Sequence, residues 1–170
     1  KYGIYSCLTR TTPHITIAGF TDDALDSGRI SLRGEYAYAM DCDLFISLHT
    51  NANGENANGY PTFGQPTNKN FPIVIVNIPA KNNSVILDMA NSIGTNLVNE
   101  NKKLGISTAK GYIGSRAGSV PSWDVQLNDG INNYGYTVSR LSSKGVDYYG
   151  VLRGAAKYNI PGMIVEHAFH

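Results

Sequence analysis

The sequence predicts an α/β domain in three layers, with a mostly parallel or mixed central sheet flanked by helices on both faces. Two observations carry this. The short apolar runs Leu44-Phe45-Ile46-Ser47-Leu48 and Gly162-Met163-Ile164-Val165 read as strands covered on both sides, and segments of helical periodicity alternate with strand-like ones along the chain. With 170 residues and a hydrophobic content of 42%, the chain is large enough for one sizeable core, so residues 1–170 are read as a single domain.

Residues 2–9 cluster aromatic and β-branched side chains and read as a strand, which Pro13 and the region of Gly19 loosen into a loop. From Ser31 to Met40, Leu32, Tyr36, Ala39 and Met40 recur at near-helical spacing, with Asp26 or Ser27 as an upstream cap. Asp43 opens the first apolar run, and His49 stands at its C-terminal end. Residues 51–70, rich in Asn, Gly and Pro, form a long loop of the kind that is often functional. Residues 73–78 resume as strand. Asn83 or Ser84 caps a helix to about residue 99 that carries Val85, Leu87, Met89, Ile93 and Leu97, and Gly105 ends the unit. Residues 110–146 hold short strands and an extended surface insertion, with Trp123 read as a core ring in preference to a sugar platform. Residues 149–152 read as strand and 154–158 as a turn or short helix. The second apolar run follows Pro161 and ends at Glu166.

Composition narrows the partners. Only 16% of residues are charged and the formal net charge is +1, which excludes the basic footprint of a nucleic-acid binder. A surface of Asn, Ser, Thr, Gly and 11 Tyr suits a neutral, polar partner held through hydrogen bonds and ring contacts. No stretch approaches the roughly 18 apolar residues of a membrane span. Cys7 and Cys42 form neither a disulfide framework nor a metal motif, and each is expected as a buried free thiol. Starting on Lys1 before a strand-like run, the sequence reads as a mature or excised piece.

Two strands thus end in ionisable residues, His49 and Glu166, and in open α/β sheets the ligand crevice lies outside the carboxyl ends of the strands. An imidazole can ligate a metal and a carboxylate can take a proton from a metal-bound water, which are the minimal parts of metal-assisted hydrolysis. The alternatives are a hydrogen-bonded structural histidine and a buried carboxylate paired with Arg10, Arg33 or Arg153. No Gly-x-Ser-x-Gly elbow supports a serine hydrolase.

The run Asp43-Leu44-Phe45-Ile46-Ser47-Leu48-His49-Thr50-Asn51-Ala52 closely resembles the central motif of the zinc-dependent N-acetylmuramoyl-L-alanine amidases, a strand leading into Ser-hydrophobic-His-x-Asn-Ala. Thr9-Arg10, Arg33 with Ala37 and Asp43 after it, Val151-Leu152-Arg153 before Pro161, and Ile164-Val165-Glu166-His167-Ala168-Phe169 follow that family's pattern in its order. The resemblance covers essentially the whole chain apart from residues 110–146. It implies that His49 is a zinc ligand and Glu166 the general base, with Asn51, Asn53 and Arg153 lining the substrate groove. It further implies hydrolysis of the amide between N-acetylmuramic acid and L-alanine in peptidoglycan, and therefore action outside the cell, at the wall.

The family's other two ligands, a His in a Gly-His-Gly-Gly type turn and a Glu on the next helix, have no counterpart here. His14, Glu35, His167 and His170 are poor substitutes. The reading is therefore of an amidase domain lacking its first strand and helix, with its own N-terminal fragment as a possible partner. The competing expectations are a non-catalytic peptidoglycan-binding domain and a surface-layer domain.

Overall fold

The computed structural model describes residues 3–9, 16–17, 20–21, 30–51, 72–105, 123–126, 136–142 and 144–169. A small antiparallel pair, β1 (Thr16–Ile17) and β2 (Phe20–Thr21), stands apart from a five-stranded mixed sheet. The main sheet contains β3 (Phe45–Asn51), β4 (Ile73–Val76), β5 (Trp123–Gln126), β6 (Tyr136–Arg140) and β7 (Gly162–Phe169), in the order β3-β7-β4-β6-β5. The β3–β7 and β4–β6 pairs are parallel; β7–β4 and β6–β5 are antiparallel.

The two faces of the sheet explain why the apolar runs of β4 and β7 are continuous, whereas the run of β3, read as covered on both sides, is covered on one, since Ile46 and Leu48 are exposed. On one face Phe45, Ile73, Ile75, Val138 and Ile164 meet Ala37 of α1 (Ser31–Ala39) and Leu152 and Ala155 of α4 (Gly150–Ala156). On the other, Val74, Val76, Met163 and Val165 meet Ala80 of α2 (Ile78–Lys81) and Ala90 of α3 (Ser84–Lys103). Alternate residues of β4 and β7 therefore feed separate cores, and both sets must be apolar. This is the three-layer α/β arrangement read from the sequence.

Local chemistry sets the boundaries. The strand expected over 73–78 stops at Val76 because Asn77 is a helix cap. Its Oδ1 accepts from the amides of Ala80 at 3.0 Å and Gly162 at 2.8 Å, while its Nδ2 donates to the Ile160 carbonyl at 2.9 Å. One fully buried amide thus starts α2 and locks the entrance of β7 to the end of β4. Asn83 caps α3 by accepting from Val85 and Ile86, and that helix runs to Lys103. It buries Ala90, Gly94 and Val98, four residues apart on one face.

Three sequence readings change. Residues 149–152 are not a strand, because α4 starts at Gly150 and packs on α1 through two glycines. A Cβ on Gly154 would lie 1.8 Å from the Ser31 carbonyl oxygen, and one on Gly34 2.4 Å from the Ala155 nitrogen. Backbone-to-backbone contact of two helices overrides the β-propensity of Tyr149 and Val151. Residues 3–9 pair with no strand among the described residues, and Ile4, Tyr5 and Leu8 are exposed. β6, expected in a surface insertion, lies between β4 and β5, and Thr137 and Ser139 on its α3-facing side are fully buried. The rest of the insertion and most of the 51–70 loop lie outside the described residues, as does the side chain of Trp123.

Asp147 anchors the same N-terminal end of α2 that Asn77 caps. Only 2% exposed, it accepts from the Ile78 amide at 3.1 Å. Burial pushes its carboxyl up to about 6 from 3.8, against the opposing pull of the Ile78 amide and Arg153. The folded form therefore holds the proton more tightly than the unfolded chain. The associated stability, at most about 3 kcal/mol, is fully present below pH 3.8 and is lost as pH rises through about 6. Asp147→Asn keeps an acceptor for Ile78, so its melting temperature should vary less than wild type between pH 4 and 6. Parallel pH profiles for the two proteins in thermal denaturation would contradict this.

Candidate functional site

Parallel pairing of the first and last main-sheet strands in chain order creates the site. His49 and Glu166 are direct register partners on β3 and β7. Neighbouring residues in parallel register point to the same face, about 5 Å apart, and here that is the face bearing α1 and α4. His49 Nδ1 and Glu166 Oε2 are 3.1 Å apart. The Glu166 side chain is 7% exposed and that of His49 63%, so a buried carboxylate holds an exposed ring. With Glu166 ionised, Nδ1 carries the hydrogen and Nε2 keeps its lone pair for a metal or a proton. Just beyond the pair the register slips, because Asn51 faces Phe169. A bulge of this kind re-aims side chains and is common beside functional sites.

The pair lies in a cleft of about 410 Å³ whose walls include Ile30 and Arg33 of the α1 end, Ser47 and Ile164 of the sheet, and Tyr149 and Gly150 at the start of α4. The glycine crossing of α1 and α4 fixes the spacing of the two helical walls. Arg33 Nη1 also donates to Thr9 Oγ1 at 3.0 Å. Tyr149 brings a phenol beside Glu166. Burial raises its pKa above the ordinary range, with a hydrogen bond and charge from Arg140 opposing and Glu166 reinforcing, so the group is a neutral hydrogen-bonding wall. Arg140 in turn sits 3.5 Å from the centre of the Tyr148 ring.

Of the residues singled out in the sequence, His49 and Glu166 are brought together, and Arg33 joins them in the cleft. Arg153 does not line it. It is exposed on α4, and its Nη1 donates to the backbone carbonyls of Asp147 and Tyr148, which tie the helix to the chain before it. Asn51 lies in β3 with its side chain outside the described residues, as does all of Asn53. Glu35 pairs with Lys157 at 3.0 Å, and His167 is exposed next to Glu166 on β7. His14, His170 and Arg10 are outside the described residues. Tyr149 was missed because its segment reads as strand; the only sequence signal was a tyrosine two residues before the Val151-Leu152-Arg153 block.

The chain matches no family model, no curated protein and no solved structure.

A catalytic zinc takes three protein ligands and leaves a fourth position open. Among the described residues no group of three or more His, Cys, Asp or Glu side chains comes together. His49 and Glu166 therefore do not by themselves make such a site. The pair can instead present Nε2 to a bound molecule as a hydrogen-bonding group, or as one ligand oriented by its carboxylate. Among the described residues no helix is long and apolar enough to cross a membrane.

Proposed function

We propose that this domain hydrolyses the amide joining N-acetylmuramic acid to L-alanine in bacterial peptidoglycan, and that it does so outside the cell, at the wall. The observation that carries the reading is the His49–Glu166 pair, 3.1 Å apart at the carboxyl ends of two parallel strands and facing a cleft. These are the two residues for which the resemblance to the zinc-dependent amidases implies a metal ligand and a general base. In this reading zinc supplies the polarisation of the scissile carbonyl, and the ligands besides His49 come from outside the described residues.

The chain's own residues have definite tasks. Glu166, buried and fixed by the sheet, accepts a proton from the attacking water and returns one to the leaving amine. With Nδ1 held by Glu166, His49 has Nε2 left to act as the metal ligand. Arg33 and Tyr149, both lining the cleft, offer hydrogen-bond donors to the carbonyl and hydroxyl groups of a glycopeptide.

That no third metal-binding side chain joins His49 and Glu166 among the described residues favours a second reading, a domain that holds wall polymer without cutting it. One assay separates the two. Purified protein, with and without added zinc, is incubated with peptidoglycan sacculi while new L-alanine amino termini and new reducing sugar ends are measured and the protein's metal content is determined. Zinc-dependent release of L-alanine termini without reducing ends is the expected result. Sedimentation with sacculi but no release, even with zinc, supports the binding domain, and neither binding nor release overturns both.

A further inference from the structure

The two cysteines, expected as separate buried thiols, stand side by side at the surface. Cys7 is exposed and Cys42 half-buried, and both are free. They share the wall of a second cavity, about 260 Å³, enclosed by residues 7–9, Tyr36 and Ala37 of α1, and the start of β3. The Cys42 Sγ–H points weakly toward the Met40 carbonyl at 3.9 Å, and the Cys7 thiol is within hydrogen-bond reach of it. Burial, then the neighbouring Cys7, raises the pKa of the Cys42 thiol above its ordinary range. The chain has no other cysteine, so any disulfide within it joins these two.

We propose that Cys7 and Cys42 form an oxidative modification site, closed to a disulfide by a small disulfide such as oxidised glutathione. The exposed Cys7 thiolate attacks one glutathione sulfur, breaking the glutathione S–S bond and releasing one glutathione thiolate. The Cys42 thiolate then attacks the Cys7 sulfur and displaces the second. The two protein thiols give up two electrons and two protons, and two molecules of reduced glutathione leave with them.

The bond would tie residues 3–9, which pair with no strand among the described residues, to the loop after α1. Thr9, two residues past Cys7, accepts from Arg33, which is also a wall of the cleft. Closing the disulfide therefore fixes the outer partner of a cleft residue. The site rests on the geometry of the second cavity and is independent of the amidase reading.

The test treats the folded protein with oxidised glutathione, followed by intact mass measurement and tryptic mapping, with Cys42→Ser in parallel. Wild type is expected to lose about 2 Da and to yield residues 2–10 and 34–69 joined as one peptide. Its melting temperature should rise by about 5 °C or more over the reduced form. Cys42→Ser should stop at a glutathione adduct on Cys7. A stable adduct on wild type, dimers linked through Cys7, or two thiols that survive an oxidant active on the urea-unfolded chain would each overturn the proposal.

Discussion

Gly154→Ala is expected to lower the stability of the domain by about 3 kcal/mol or more, or to prevent folding, without touching the cleft directly. The added methyl would sit 1.8 Å from the Ser31 carbonyl oxygen and 3.1 Å from the Glu35 nitrogen. The obstacle is helix backbone, so relief requires α1 and α4 to separate. Separation would strip packing from Ala37, Leu152 and Ala155 and spread the two cleft walls. Gly145 is the control. Its φ is +72° and a methyl group added there would meet nothing within 4 Å, so Gly145→Ala should cost only about 1 kcal/mol. Urea denaturation of both variants gives the comparison; equal losses would mean that the α1–α4 crossing has slack to absorb a methyl group.

The second large effect is on activity. Glu166→Gln preserves volume and can still hydrogen-bond to His49, yet it cannot take a proton. Release of L-alanine termini should fall about 1,000-fold with little change in melting temperature. His49→Ala leaves the buried Glu166 carboxylate without its ring partner, so it should lose both activity and stability. If Glu166→Gln unfolds the domain while His49→Ala stays active, the pair holds the sheet end together and the chemistry lies elsewhere.

Much of this arrangement was legible in the sequence. The apolar runs identified β3 and β7, and the spacing of Leu87, Met89, Ile93 and Leu97 identified α3; burial on defined faces accounts for β7 and α3, while Ile46 and Leu48 of β3 are exposed. His49 and Glu166 were legible as strand-terminal residues, but their adjacency was not, because only the β3–β7 register sets it. Residues 149–152 deceived the reading because Tyr149 and Val151 favour strand locally, whereas the glycine contact that seats the helix on α1 is made with a distant part of the chain. Arg153 was placed in the groove by its motif. In the structure, the carbonyls of Asp147 and Tyr148, close by in sequence, take its guanidinium. The residues before α1 read as strand from composition alone, and composition does not reveal whether a ladder partner exists.

The register of β3 against β7 also bears on folding kinetics. His49 and Glu166 are 117 positions apart in the chain, and the contact between them is made directly across the parallel β3–β7 pair at one side of the described sheet. Closing so long a loop is slow, and its entropy is lost before any packing compensates. β4 and α3 can form local contacts while the chain is still being synthesised, but the histidine has no carboxylate until β7 has left the ribosome and docked between β3 and β4. In refolding, recovery of the cleft should therefore coincide with the slowest phase of sheet assembly.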